Sequence, residues 1–327
     1  MTHYRKIIHL PLMIWTFIGM CGCIHYEPVM IDGELGKDPT KVSVSFQLEL
    51  SPTSTFINYL SRHSDSEDIY QRFIVEVTQR GAIIARKETI VPVTDIIGLS
   101  EYTLPYEISL HAVEYEVSVW SDYYTANSTS YNADMFTPVY CAIPYFGCSE
   151  LKLCYCAHKA VDFRPYRDNW DYHHQINLSL NKPVAKYQII TTDAQDFLKS
   201  AKTDSLHIRV GYIGYHPIGY NVPSEMPDAH ADGIYFYNTV AASDGDITGE
   251  LCLAFDYIFS PPDDSQPAQI ALTITDDNGR KIAEYNDIQF SYRAGKVTTI
   301  SGRILTQQSS GGIGINKDWD DEIIIEI

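Results

Sequence analysis

Apolar and polar positions alternate with a period of two along much of this chain. In Val42-Ser43-Val44-Ser45-Phe46-Gln47-Leu48-Glu49-Leu50 every even position is apolar and every residue between is polar. That predicts a strand with one buried and one wet face. The same pattern predicts strands at 73–78, 83–91 and 115–120, while the polar, Tyr-, Asn- and Ser-rich stretch 121–132 reads as a loop. Helical periodicity is nearly absent in this half, with one short turn expected at 56–60. Asn181-Lys182-Pro183 reads as a join to a second unit. Beyond it, strands are predicted at 185–191, 206–212, 233–237, 251–259, 270–275, 281–285, 297–305 and 323–327. The Asn278-Gly279 step between two of these is a hairpin signal. The clearest helix starts at Thr192, three residues before Gln195 and with Asp193 and Asp196 in its first turn, a capping-box spacing. It should end near Lys202. Many short strands and one brief helix indicate an all-β chain of antiparallel sheets packed as sandwiches, divided into 41–180 and 181–327.

The first 23 residues break this pattern. Arg5 and Lys6 precede an apolar run from Ile7 to Met20, which ends in Cys21-Gly22-Cys23. The run is short for a spanning helix and has the anatomy of a secretory signal. Gly22 before Cys23 resembles the lipobox of bacterial lipoproteins, in which cleavage follows the small residue and the cysteine is acylated. Bulky Met20 makes Cys21 the poorer candidate. An ordinary secretory signal with two incidental cysteines is the other reading. Residues 24–40, with Pro28, Gly33, Gly36 and Pro39 among acidic side chains, read as a tether. Each buried acyl CH₂ contributes about 0.8 kcal/mol, so several chains hold a protein firmly to a membrane. The expected setting is a membrane-tethered protein outside the cytoplasm.

Charge narrows the partners. The whole chain carries −18; loss of Arg5 and Lys6 with the signal leaves 22 basic against 42 acidic residues, hence −20. Such a surface repels phosphate backbones and anionic headgroups, so nucleic acid is excluded as a partner and the lipid itself is the membrane contact. The 24 tyrosines against 12 phenylalanines suit half-buried strand positions, and suit binding surfaces equally well.

Candidate chemistry is sparse. Cys141, Cys148, Cys154 and Cys156 lie close together near His158, but their spacing matches no zinc finger or ribbon. On a strand Cys154 and Cys156 would stand about 7 Å apart, too far to pair. One disulfide such as Cys141–Cys148 and buried free thiols both stay open, and with Cys252 the count is odd. His173 and His174 would face opposite ways on a strand and so could not chelate one ion; a solvated loop is expected there. Asp276 to Gly279 lacks the alternating ligands and distal Glu of a calcium loop. Asp318 to Glu322 reads as an acidic turn. No G-x-S-x-G, H-E-x-x-H or phosphate-binding glycine loop occurs. Catalytic residues, metal ligands and cofactors are therefore not indicated.

From Val184 onward the chain resembles an uncharacterised family of Bacteroidota lipoproteins related to fimbrillin and fimbrial-anchor (type V pilus) proteins. The carrying segments are Asn181 to Asp193, Ile208 to Pro217, Leu253 to Phe259 and, most specifically, the tail Gly302-Arg-Ile-Leu-Thr306, Gly311-Gly-Ile-Gly-Ile-Asn316 and Ile323-Ile-Ile-Glu-Ile327. In the first half, Trp120-Ser121-Asp122-Tyr123 matches the family's Trp-x-Asp-Tyr element. The resemblance implies two Greek-key β-sandwich domains on a lipid anchor in the outer membrane, partnered with other fimbrial subunits through β-strand pairing. Family subunits polymerise after an arginine-specific protease removes the first strand. This chain departs from that pattern, since Lys37 and Lys41 are the only basic residues between Cys23 and Arg62. An anchor or accessory role with the lipid retained follows, and enzymatic activity is not expected. The alternative is a surface glycan-binding lipoprotein whose tyrosines, with Trp120 or Trp170, stack on sugar rings. Ile323, Ile325 and Ile327 share one face of the terminal strand and should enter a core, paired within the same chain.

Cys23→Ser is expected to abolish incorporation of labelled fatty acid, whereas Cys21→Ser leaves it intact. Label persisting in the Cys23→Ser protein would remove the assignment.

Overall fold

A computed structural model describes residues 40–50, 68–200, 203–241, 244 and 249–306, with the backbone of Met30–Ile31, Glu34–Leu35, Gly314–Ile315 and Glu322–Glu326. The signal, most of the tether and the turn expected at 56–60 lie outside the described residues.

The first unit contains β1 (Lys41–Glu49), β2 (Ile69–Gln79), β3 (Ala82–Pro92), the short α1 (Val93–Ile96), β4 (Glu101–Thr103), β5 (Ile108–His111), β6 (Glu114–Thr125), β7 (Val139–Cys141), β8 (Cys154–Asp162) and β9 (His173–Ser179). One sheet runs β8-β6-β2-β3; the other runs β9-β1-β4, with β5 also on β1. The alternation of β1 is realised directly: Val42, Val44, Phe46 and Leu48 are wholly buried. Opposite them stand Phe73, Val75 and Val77 of β2 with Val117 and Val119 of β6.

The stretch expected as a loop from 121 instead continues β6 to Thr125. Its polar residues have partners across the ladder. Gln71 donates to Ser121 Oγ at 2.8 Å, and Arg72 clamps Asp122 through Nε at 2.9 Å and Nη2 at 2.6 Å. The outer face of this sheet is itself covered, because Tyr131, Ala133 and Phe136 fold back over Trp120, Ile74 and Arg86.

The second unit contains β10 (Val184–Thr191), α2 (Ala194–Ser200), β11 (Ser205–Tyr212), β12 (Gly219–Asn221), β13 (Tyr235–Ala241), β14 (Leu251–Phe259), β15 (Gln266–Thr275), β16 (Lys281–Tyr292), β17 (Val297–Gly302) and β18 (Glu322–Glu326). Its sheets run β14-β10-β17-β18, continued by Gly314–Ile315, and β13-β11-β15-β16. Tyr187, Ile189, Leu253 and Ile300 of the first meet Leu206, Ile208, Val210, Leu272 and Ile274 of the second. The Asn278-Gly279 turn forms as expected: Gly279 has φ +74°, and Asp276 accepts from the N–H groups of Asn278 and Arg280. Helix α2 also forms, but Asp193 immediately before it turns its carboxylate to Leu305 N–H and Thr306 N–H, pinning the chain after β17.

The architecture is an all-β sandwich, with one departure from uniform antiparallel pairing. β9 runs parallel to β1, β10 to β17 and β17 to β18. Parallel neighbours need crossover connections, and each of these pairs is joined through strands of the opposite sheet or a long excursion.

Buried side chains form two clusters that change over between Val184 and Ala185. The change is not clean. Tyr220, Val222, Tyr257 and Phe259 belong to the first core, and β12 pairs with β7 across the boundary. Gly147 lies so close to Phe236 of the second core that a Cβ there would stand 2.5–2.7 Å from its ring carbons. Phe236 is buried and has no room to withdraw. Gly147→Ala should therefore destabilise the protein by about 1–3 kcal/mol, read as a lower urea midpoint. Phe236→Leu in the same chain should recover part of the loss; a doubly weakened protein would show that the contact is not limiting.

Candidate functional site

The expected site residues fall in different places. Gly22 and Cys23 lie outside the described residues. In β18 the backbone of Ile323 lies beside Thr298, and that of Ile325 beside Ile300. Ile327 and the side chains of this strand are outside the description. All five remaining cysteines are free thiols; Cys141, Cys154 and Cys156 are buried. Burial pushes the Cys141 thiol up to about 12, the opposite of what a metal ligand or nucleophile needs. Among the described residues, no group of three His, Cys, Asp or Glu side chains is placed to hold a metal ion.

His173 and His174 are not in a loop; they open β9. His173 Nε2 lies 2.9 Å from Ser45 Oγ, and His174 packs against the rings of Phe163, Tyr166 and Tyr172. The alternation of Ile176, Leu178 and Leu180 was the available signal for this strand. Trp120 is wholly buried beside Tyr131 and Phe259, so it cannot stack on a sugar, whereas Trp170 is exposed.

Pattern reading missed the polar junction between the two cores. The segment 145–152 carries Tyr145, Glu150 and Lys152 against β10 and β14. Lys152 pairs with Asp256 while also donating to Tyr145 Oη at 3.0 Å and to the Phe146 carbonyl at 3.1 Å, so its three protons are used. Asp256 in turn accepts from Tyr145 and Tyr212 hydroxyls at 2.7 and 2.8 Å and from Tyr257 N–H at 2.8 Å. Lys186 pairs with Glu150 at 2.5 Å, and Glu150 also accepts from the Tyr257 hydroxyl. His216 stacks on Tyr212 at 3.7 Å, with Nε2 2.9 Å from the Tyr145 hydroxyl. Burial, with Lys152 and His230 adding repulsion, holds this imidazole well below its ordinary pKa. The junction is a network of buried, mutually satisfied charges and hydroxyls between the 145–152 segment and strands β10 and β14.

A cleft does open elsewhere, on the outer face of the β8-β6-β2-β3 sheet where the covering segment stops short. It measures about 560 Å³. Arg72, Glu88 and Tyr124 form its floor, and the turn 125–129 with Asn132 and Asp134 forms its walls. Tyr124 is stacked on Tyr70 with centroids 5.8 Å apart. An exposed aromatic pair elsewhere, Tyr235 and Tyr237, meets edge to face at 76° and offers no common plane.

The sequence matches the family described as "Family of unknown function (DUF6562)" over residues 36–327. No curated protein matches it. Among solved structures the chain is similar to a candidate cell adhesion protein from Bacteroides eggerthii, with 11% identity, TM-score 0.42, and coverage of 84% of this chain and 91% of that one. It is similar to the fimbrial anchor protein Mfa2 from Porphyromonas gingivalis, with 11% identity, TM-score 0.38, and coverage of 75% and 81%. It is also similar to a candidate polysaccharide-binding protein from Bacteroides thetaiotaomicron, with 9% identity, TM-score 0.38, and coverage of 75% and 80%.

The junction makes its own test. Lys152→Met strands the buried Asp256 carboxylate and should cost about 3–5 kcal/mol. Adding Asp256→Leu should recover much of that in a thermal-unfolding double-mutant cycle. Additive losses would mean that the two charges act independently.

Proposed function

The chain belongs to the DUF6562 family of unknown function, and from that premise we propose that it is a lipid-anchored cell-envelope protein, an anchor or accessory subunit in fimbrial adhesion that performs no chemistry of its own. Acyl groups on Cys23 hold it to outer-membrane lipid, on the surface or the periplasmic face, and other fimbrial subunits meet it by β-strand pairing. The reading takes its direction from the residue-level resemblance of the tail and from the Gly22-Cys23 pair.

The observation that carries the choice of anchor over polymerising subunit is the backbone pairing of β18 with β17 in the same chain, from Val297↔Glu322 to Ser301↔Glu326. A strand engaged within its own chain is not offered to a neighbour. The Arg-free segment 24–61 supports the same choice, because no arginine stands there to direct removal of a first strand. Among the described residues no helix is long and apolar enough to cross a membrane.

Deletion of residues 322–327 should lower the melting temperature of a protein that runs as a monomer. If the intact protein forms SDS-resistant ladders that vanish on this deletion, the strand is a donor and the chain polymerises.

A further inference from the structure

We infer that the cleft over Arg72, Glu88 and Tyr124 is a binding subsite for a neutral oligosaccharide. Its volume, about 560 Å³, falls within the roughly 300–1,000 Å³ of small-molecule sites. The assignment stands apart from the proposed lipid anchor.

Four features of the cleft fit a polyol with one flat C–H-bearing face. Tyr124, half-buried, is stacked on Tyr70 at 5.8 Å with 29° between the rings, and the Arg72 guanidinium carbon lies 6.0 Å from its ring centroid, so the ring is held in place by both. An aromatic face of this kind carries partial negative charge and attracts the C–H edges of a sugar ring. Arg72 is fixed by the buried Asp122 through Nε and Nη2, and Nη2 also lies 3.4 Å from the Tyr131 carbonyl. No described protein group takes Nη1, which leaves one rigid, charged donor for a hydroxyl oxygen. Glu88 and Asp134 are exposed carboxylates without an ion-pair partner among the described residues, and each can accept from hydroxyl groups. Asn132 Oδ1 already accepts Asp134 N–H at 2.9 Å, so its amide N–H₂ remains as a donor.

Other ligand classes fit less well. The only aliphatic side chains in the lining are alanines, which give an acyl chain little to bury against. Two carboxylates at the cleft, on a chain of net charge −18, repel uronic, sulfated and phosphorylated polymers. A neutral saccharide, whose hydroxyls both donate and accept, satisfies this mixed set without a charge penalty.

The test uses the full-length, detergent-solubilised protein titrated calorimetrically with cello-, malto-, xylo-, laminari-, manno- and chitohexaose at millimolar concentration, and with polygalacturonic acid. At least one neutral hexaose should bind and the polyanion should not. Tyr124→Ala and Glu88→Gln should each weaken binding tenfold or more. Tyr124→Phe, which keeps the ring, and Tyr237→Ala, on the exposed Tyr235–Tyr237 pair, should leave it within about twofold. Glu88 is exposed, so its substitution reads binding rather than folding. Silence across the neutral panel overturns the assignment, as does binding that survives both Tyr124→Ala and Glu88→Gln or that is lost with Tyr237→Ala. A result for or against sugar binding leaves the fatty-acid labelling of Cys23 unchanged, so the two readings fail separately.

Discussion

Two ion pairs buried at one junction, Lys152–Asp256 and Lys186–Glu150, set the relation between the sandwiches. Removing an ion from water costs several kcal/mol even after the protein relaxes, and attraction inside repays this only when the remaining hydrogen bonds are also satisfied. Here they are. Asp256 receives Lys152, two tyrosine hydroxyls and a backbone N–H, while Glu150 receives Lys186 and the Tyr257 hydroxyl. The pairs therefore supply orientation more than stability, since moving 145–152 away from β10 and β14 would separate each buried charge from its counter-ion. The close approach of Gly147 to Phe236 and the pairing of β7 with β12 follow from the same placement of the 145–152 segment.

A related constraint shapes the outer face of the first unit. That face holds Arg72, Glu76, Arg86 and Asp122, and the chain after β6 folds back over it. Arg86 reaches the Ala133 carbonyl, and Arg72 approaches that of Tyr131, so the cover is attached through the charges beneath it. Where it ends, Tyr124 and Glu88 are left uncovered, and the cleft opens beside the covered part of the sheet face.

Strands with strict alternation were legible in the sequence, as were apolar runs such as β10 and β14, but β8 was not. β1 announced itself by strict alternation. β8 opens with Cys154-Tyr155-Cys156-Ala157, all buried, and so presents no period of two. The end of β6 looked like a loop because Ser121 and Asp122 are polar, and their partners Gln71 and Arg72 lie 50 residues earlier. The parallel pairings were hidden for a similar reason, since orientation is decided by connections rather than by local pattern. Neither the junction nor the cleft has a local motif; each is assembled from segments that meet only after the sheets form. Nothing in Val119-Trp120-Ser121 distinguishes a buried tryptophan from a sugar-stacking one. Its burial depends on Tyr131 and Phe259 arriving from elsewhere.

Strand addition requires an edge whose N–H and C=O groups are free. At β14, Cys148 N–H donates to the Phe255 carbonyl at 2.8 Å and Cys148 Sγ accepts Phe255 N–H at 3.4 Å, so the first unit caps that side. At β8, Asn181 and Cys156 exchange both backbone bonds at 2.8 Å. β3 is long and exposes Ile83, Ile84 and Ile90, yet it interleaves them with Arg86, Lys87 and Glu88, the charges by which an edge discourages adventitious pairing. In the sheet that carries β18, that strand is flanked by β17 on one side and, at Ile325 and Glu326, by Gly314–Ile315 on the other, so it is not the free edge there.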